Sequence, residues 1–461
     1  MTVFKSTLMP HQLLANEWCL EKEVGGCVLA LEMGTGKTCI SLSVFTAVPV
    51  KTLVMMPLSL LSQWEGEIGR HTEGVNVAIH HGVKRMQPDQ LDKIQKANIV
   101  LTTYNTVLSD YKNNKTGVYQ DFERLIIDEA HKLRERKSKM HIGIRKLFVD
   151  VPRKVLLTGT PIANGIQDLV SLFCLLNHEP YNNVGHWTGM TLEEKTKELL
   201  ALRKKFLLFM EAKDTIADKM PRITILDTTS EFYREKQGDV YKKILNGNIP
   251  TKTSLDKILR LRQCANEVKL MKMKDTLEMC DELSDKLSMT RKIVDTVPEG
   301  EKIVIFSQWL GMLEILQSNI GVVSVLYHGG LQKDEKDTLL ESFKNDPSIK
   351  VMFMTLKSGS VGLNLTVANH VIITEPYFNA AEENQAMARV FRIGQKKDVK
   401  VYKLQISDTV ENWMKQLQRT KSKVMDMLMR DIGDIGEIES EIVQKECMFT
   451  QFVQNAVVAT N

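Results

Sequence analysis

Two stretches of this 461-residue chain carry side chains suited to handling a polyphosphate. In Glu32-Met33-Gly34-Thr35-Gly36-Lys37-Thr38 the glycines let backbone amides curl around phosphate oxygens, and a helix starting near Lys37 adds the positive potential of its N-terminus. Lys37 can then reach the β and γ phosphates, and the Thr38 hydroxyl can ligate Mg²⁺. The strict phosphate-loop expression asks for glycine at position 31, where this chain has Leu31, so the loop alone does not define a site. Further along, Leu125-Ile126-Ile127 runs into Asp128-Glu129-Ala130-His131, which sets two carboxylates at the carboxyl end of an apolar strand. Asp128 is the candidate holder of Mg²⁺, usually through water, and Glu129 the group that orients and deprotonates an attacking water. Loop and acids together predict ATP hydrolysis.

Such groups converge only if the right elements carry them. Short apolar runs, each followed by a longer segment of mixed polarity, read as buried parallel strands alternating with helices. They fall at Cys27–Leu31, Thr52–Met56, Ile99–Thr103, Leu125–Asp128 and Lys154–Thr158, and the pattern restarts at Lys302–Phe306, Val322–Tyr327, Lys350–Met354, His370–Thr374 and Val399–Leu404. The predicted fold class is α/β, with two doubly wound parallel-sheet units and ligands at the carboxyl ends of the strands. From about Asn164 to Gly300 strand signals thin out and helical spacing takes over, as in Leu192–Met210 and Leu255–Met289. The expected organisation is an ATP-binding lobe over residues 1–175, mainly helical insertions over 176–300, a second lobe over 301–410 and a helical tail over 411–461.

At this point the sequence resembles the Swi/Snf-like branch of the superfamily-two helicases, over nearly its whole length. Leu8-Met9-Pro10-His11-Gln12 is similar to the branch's adenine-reading segment, which implies an adenine contact for Gln12. Leu53-Val54-Met55-Met56-Pro57-Leu58-Ser59-Leu60-Leu61-Ser62-Gln63-Trp64 and Thr102-Thr103-Tyr104 resemble motifs that face DNA, so Ser59, Gln63, Trp64, Thr102 and Thr103 become candidate nucleic-acid contacts. Leu157-Thr158-Gly159-Thr160-Pro161-Ile162-Ala163-Asn164 is similar to the segment that couples nucleotide state to lobe movement. Leu261-Arg262-Gln263-Cys264-Ala265-Asn266 matches a sequence recurring in the branch's helical insertions. Ile303-Val304-Ile305-Phe306-Ser307-Gln308-Trp309 opens the second unit.

Beyond it, Ser358-Gly359-Ser360-Val361-Gly362-Leu363-Asn364-Leu365-Thr366 resembles a motif touching both DNA and nucleotide, which assigns Gly362 to nucleotide and Lys357, Ser358 and Asn364 to DNA. Gln385-Ala386-Met387-Ala388-Arg389-Val390-Phe391-Arg392-Ile393-Gly394-Gln395 is the most diagnostic stretch. It implies that Arg389 and Arg392 are arginine fingers, with Gln385 nearby. On a continuous helix these three positions, four and three apart, would share one face. A planar guanidinium suits charge spreading over phosphate oxygens.

The chain departs from the branch where an acid usually replaces Leu31, an aspartate Ala388, often a histidine Phe391, and a pair of arginines falls within Leu207-Leu208-Phe209-Met210. No chromatin-reading module, RING finger or SANT-like extension is recognisable, and this compact form resembles the global transactivator proteins of insect large DNA viruses.

Composition is compatible with all of this. The chain is 43% hydrophobic and 26% charged with net charge +4, so neither disorder nor a fibrous fold is suggested and a nucleic-acid partner is permitted without being demanded. Seven cysteines at wide spacing predict reduced, packed thiols and no zinc site. No signal pattern or long apolar run points to secretion or a membrane. Lys396, Lys397, Lys400 and Lys403 form a cluster that could assist DNA binding, although such clusters are usually solvated faces.

The resemblance implies two RecA-like doubly wound parallel-sheet lobes forming a motor that uses ATP and Mg²⁺; the oligomeric state is open, with a monomer favoured. The motor would step along double-stranded DNA, with nucleosomes or transcription machinery as further partners, in the nucleus, or in a host nucleus if the chain is viral. Two alternatives stay open: a strand-separating helicase on single-stranded DNA or RNA, and a non-motor transcription regulator with a vestigial ATP site.

Overall fold

The computed structural model describes residues 2–162, 166–176, 178–181, 183–215, 220–232, 234–272, 284–359, 363–430 and 440. It comprises two compact units, Met1–Ala217 with Val424–Ser440 and Asp218–Lys423 with Glu441–Asn461.

The first unit holds strands β1 (Val3–Phe4), β2 (Cys27–Leu31), β3 (Thr52–Met56), β4 (Thr72–Glu73), β5 (Val77–His80), β6 (Ile99–Thr103), β7 (Arg124–Asp128), β8 (Arg153–Thr158) and β9 (Leu207–Met210). Among its helices are α1 (Pro10–Lys22), α2 (Lys37–Ala47), α3 (Leu61–His71), α4 (Pro88–Lys96), α5 (Tyr104–Lys112) and α6 (Lys139–Leu147). Seven strands form one sheet in the order β5-β6-β3-β7-β8-β2-β9, with every pairing parallel. Strands β2, β3, β6 and β7 are buried along their whole length, as expected where helices cover both faces of a parallel sheet. Register places Asp128 opposite Leu157 and Thr158 opposite Ala30. The carboxyl ends of β7, β8 and β2 are therefore flush, and residues at the ends of β7 and β2 lie about 10 Å apart, two strand spacings.

In the second unit, strands β10 (Ile223–Ser230), β11 (Ile303–Ser307), β12 (Ser324–Tyr327), β13 (Val351–Thr355), β14 (His370–Ile373) and β15 (Val399–Ile406) form a sheet in the order β10-β15-β14-β11-β13-β12, again parallel throughout. The period-two alternation of a strand divides its core cleanly. Val304, Phe306, Met352, Met354, Val371 and Ile373 pack in one cluster, and Ile303, Ile305, Val351, Phe353 and Ile372 in another on the opposite face. The helices Glu235–Leu245 and Ser254–Asn266 build a smaller core of their own around Tyr241, Leu261 and Cys264.

All ten expected strands are present within a residue or two of their anticipated ends. The stretch read as helical also contributes one strand to each sheet, β9 and β10, and β5 adds a further unexpected edge. Edge strands carry mixed polarity because one side meets solvent; β10 is exposed over most of its length and so lacks the apolar run of a buried strand. In β9, Leu208 and Met210 pack against the first core, which accounts for apolar residues where the resembled branch has arginines. Cys19, Cys27, Cys174 and Cys264 are buried free thiols and Cys39 is half-buried. Among the described residues no helix is long and apolar enough to cross a membrane.

At the amino ends of the first sheet's strands sits a buried charge clamp. Arg124 donates from Nε to Glu23 Oε2 (2.7 Å) and from Nη2 to Glu23 Oε1 (2.8 Å), with Nη1 on the Val48 carbonyl (2.9 Å). Arg153 Nε stands 3.3 Å from Glu23 Oε1. The pair is essentially sealed from solvent, and it ties the end of α1 to β7, β8 and the end of α2. Removing one partner strands the other charge, so Glu23→Ala should destabilise the first unit by about 3–5 kcal/mol. Joint replacement by Glu23→Leu and Arg124→Met should cost less than either single change, as read by urea unfolding.

Candidate active site

The loop between β2 and α2 closes through two glycines in the left-handed region, Gly34 (φ 87°) and Gly36 (φ 92°). Gly36 is demanded twice: its backbone conformation disfavours a side chain, and a Cβ there would lie 2.2 Å from Gln12 Nε2. From α1, Gln12 Nε2 and His11 Nε2 contact the Thr35 carbonyl at 3.1 and 2.9 Å, while Gln12 Oε1 accepts from Met9 N at 2.9 Å. The segment expected to read adenine thus braces the loop. Gly36 caps α2, so the first amides of that helix, which have no partner within it, face the loop. Lys37 Nζ curls back to the Leu31 carbonyl at 2.8 Å and that of Glu32 at 3.4 Å, and Thr38 is half-buried in the first turn.

At the end of β7, Asp128 and Glu129 are both buried. Asp128 Oδ2 accepts from Trp64 Nε1 at 2.8 Å, Oδ1 accepts from Glu129 N at 2.9 Å, and its carbonyl accepts the Tyr104 hydroxyl. Burial, reinforced by the neighbouring Glu129 charge, pushes the Asp128 carboxyl up to about 6. Glu129 adopts φ 54°, a left-handed conformation costly for a side-chain-bearing residue. Its Oε2 is buried without a hydrogen-bond partner, 3.3 Å from His131 Nδ1. His131 Nδ1 also lies 3.2 Å from Thr158 Oγ1, which in turn accepts from Thr160 N. Burial, with Lys132, Arg134 and Lys37 close by, depresses the His131 imidazole to about 3, so it is neutral at ordinary pH and its contact with Glu129 is no ion pair.

These residues fit a nucleoside triphosphate with a divalent metal. A glycine turn at a helix N-terminus suits phosphates, the Thr38 hydroxyl and Asp128 carboxylate are hard oxygen donors, and a buried carboxylate oxygen with no donor suits a water to be activated.

Of the candidate nucleic-acid contacts in this unit, Ser59 is exposed and Gln63 half-buried. Trp64 and Thr102 are corrected by the fold: Trp64 is 1% exposed with its N–H committed to Asp128, and Thr102 Oγ1 donates to the His80 carbonyl inside the sheet. Thr103, also buried, caps α5 by accepting from Thr106 N. The sequence reading left Tyr104 and His131 without roles. A buried aromatic with one polar tip, directly after a strand end, was the available signal for Tyr104.

In the second unit the expected continuous helix stops at Met387, since the helix spans Ala380–Met387 and turns follow. Gln385 is therefore helical, whereas Arg389 and Arg392 lie in the turns, and the shared-face expectation is corrected. Gln395 gathers that segment by donating to the Ala368 and Val390 carbonyls at 2.8 and 3.1 Å, and Arg392 Nη1 reaches the Leu363 carbonyl at 3.3 Å. Gln385 and Arg389 are buried. Lys357 is exposed on the short helix Leu356–Gly359. Ser358 is buried, its hydroxyl accepting from Thr355 Oγ1 at 2.8 Å, and exposed Asn364 accepts from Thr366 N at 3.2 Å. Gly362 lies outside the described residues. In the lysine cluster Lys397 pairs with Glu301 and Lys403 with Glu383, while Lys396 and Lys400 are exposed.

Two RecA-like lobes, each built on a parallel sheet and the first with a phosphate loop and an Asp-Glu pair at neighbouring strand ends, define a helicase-like ATPase core. Residues 11–283 match the SNF2-related domain and residues 285–394 the helicase conserved C-terminal domain. The chain belongs to the SNF2-related family. It is 30% identical to the "Probable global transactivator" of Orgyia pseudotsugata multicapsid polyhedrosis virus, covering 94% of each chain. It is 31% identical to the chromodomain-helicase-DNA-binding protein 1-like of Mus musculus, over 92% of this chain and 50% of that protein. It is also similar to the Sulfolobus solfataricus SWI2/SNF2 ATPase core in complex with dsDNA, at 26% identity and a TM-score of 0.43, over 96% of this chain and 97% of that one.

A histidine kept neutral in the fold is protonated more readily in the unfolded chain. Its share of stability is full above about pH 6.5 and is lost as pH falls from there toward 3. In ¹⁵N-edited spectra the His131 ring should remain neutral from pH 8 to 5, and His131→Gln should flatten the acid limb of the unfolding profile.

Proposed function

We propose that this chain is an ATP-driven translocase on double-stranded DNA that remodels chromatin or other protein–DNA complexes and thereby affects transcription. The observation carrying the reading is the convergence, at the flush ends of β2, β8 and β7, of a phosphate loop with a buried Glu129 oxygen that has no donor. The reading draws further support from a relative named as a transactivator and another named as a DNA-binding helicase.

In this mechanism the amides of Gly34 to Thr38 and the ammonium of Lys37 hold the phosphates, and Gln12 contacts the adenine. A divalent metal held through Thr38 and Asp128 supplies charge neutralisation when bound. Glu129 orients the attacking water and accepts its proton. Arg389 and Arg392 of the second lobe meet the phosphates with Gln385 beside them, and the motif containing Gly362 adds a nucleotide contact. The arginine contribution is of the size known for such fingers, roughly 10³ to 10⁵ in rate. Nucleic acid is gripped mainly at phosphates by Ser59, Gln63, Lys357, Ser358, Asn364 and the amino end of α5 at Thr103, so binding is salt-sensitive and largely blind to sequence. The site of action is the nucleus, the host's if the chain is viral.

The testing assay measures ATPase rate without nucleic acid and with duplex DNA, single-stranded DNA or nucleosomes. Duplex should stimulate most. Equal stimulation by single strands would sink the substrate claim in favour of a strand-separating helicase. Glu129→Gln should lower kcat by about 10² to 10⁴. Unchanged steady-state turnover in that variant would remove the catalytic assignment and leave a non-motor regulator. Arg389→Ala should lower kcat by about 10³ or more while nucleotide binding, followed by a fluorescent analogue, persists.

A further inference from the structure

Two motifs read as facing nucleic acid have their inner ends on the same catalytic acid. The segment Leu58–Leu60 leading into α3 exposes Leu58 and Ser59, and α3 itself carries half-buried Gln63. The next residue, Trp64, points inward and donates its indole N–H to Asp128 Oδ2 at 2.8 Å. Thr103 caps α5, and the first residue of that helix, Tyr104, is buried and donates its hydroxyl to the Asp128 carbonyl. The sheet order makes this geometry unavoidable: β6, β3 and β7 are consecutive neighbours, so helices springing from the ends of β6 and β3 abut the end of β7.

An indole N–H can only donate and a carbonyl can only accept, so each bond has one sense and neither can be exchanged for its reverse. Neither aromatic belongs to the phosphate loop. Asp128 is thus held at its carboxylate by α3 and at its backbone by α5, while Glu129, the next residue, depends on the same backbone for its left-handed conformation.

We propose that Trp64 and Tyr104 are positioning residues through which a nucleic acid lying against the start of α3 and α5 sets the posture of Asp128, and with it the rate of hydrolysis; this rests on the duplex-translocase reading. Ser59 and Gln63 sense, the two aromatics transmit, and the metal-holding carboxylate responds. Contiguity of packed groups is the physical warrant, and a coupling measurement is required to establish it.

The test uses Trp64→Phe and Tyr104→Phe in the full chain, each deleting one donor while keeping the ring. Duplex affinity by fluorescence anisotropy should stay within about threefold. The ratio of duplex-stimulated to DNA-free kcat should fall about tenfold in Trp64→Phe, which loses a hydrogen bond to a charged group, and about fivefold in Tyr104→Phe, which loses one to a neutral carbonyl. Binding of Mn²⁺ with a non-hydrolysable nucleotide, followed by electron paramagnetic resonance, should weaken by a similar factor. An unchanged ratio overturns the proposal, whether Mn²⁺ binding weakens or only the Tm drops, because the aromatics then serve the metal or the core alone. Loss of duplex affinity in proportion to the lost stimulation overturns it as well. A wild-type chain that no nucleic acid stimulates removes the translocase reading and the relay together, whereas a stimulated wild type with equally stimulated variants removes only the relay. Should Trp64→Phe fail to fold, Tyr104→Phe carries the test.

Discussion

Asp128 and Glu129 are adjacent carboxylates buried at the end of a single strand, and an arrangement of that kind is unfavourable unless its surroundings compensate. Desolvation and mutual repulsion both oppose ionisation, which is why Asp128 is pushed up to about 6. Much of the first lobe's upper surface can be understood as its compensation. Trp64 and the Glu129 amide donate to the Asp128 carboxylate, and the positive charge of Lys37 counters the upward shift. Glu129 itself, in a left-handed turn, keeps its Oε2 without a hydrogen-bond donor.

That strain is tolerable because the opposite ends of the strands are tied down. Glu23, Arg124 and Arg153 clamp the amino ends of β7 and β8 in the first lobe. The second lobe has a counterpart in Glu301, which accepts from Asn369 Nδ2 at 2.9 Å and contacts His370 Nε2 at 2.7 Å and Lys397 Nζ at 3.3 Å. Burial alone would raise the Glu301 carboxyl, but these partners outweigh it and hold it down to about 2. Each sheet therefore has a charge-locked base and a crest of polar loops. A parallel sheet transmits such a constraint along its length, since every central strand is hydrogen-bonded on both sides.

How much of this was legible in sequence depended on what kind of interaction set it. Buried central strands announce themselves as apolar runs, and their ends locate Lys37, Asp128 and Thr158 without further help. Glycines 34 and 36 were readable because only their backbone freedom satisfies the turn. Edge strand β10 was not, because exposure erases its apolar run; β9 keeps apolar residues but follows the helix Leu192–Phe206 without a break, and β5 is only four residues long. Trp64 was legible only as a candidate nucleic-acid contact and Tyr104 carried no assignment, whereas both turn inward onto Asp128: periodicity reports which residues are buried, and cannot say which buried polar atom meets which partner across the sheet. The clamp from Glu23 to Arg124 is invisible for the same reason, its members lying 101 residues apart.

The segment bearing Arg389 and Arg392 makes the complementary point. Residues four and three apart imply a shared face only while the helix continues, and here it does not. After Met387 the amides of Arg389 and Val390 reach back three residues instead of four, and Gln395 pins the resulting turns through its side-chain amide. The arginines are then carried on a crosslinked loop whose posture is set by Gln395 and by the Leu365 amide donating to the Arg389 carbonyl at 3.0 Å, not by helical spacing. Small dihedral changes in a turn redirect the guanidinium, while the buried Gln385 and the helix behind it stay packed.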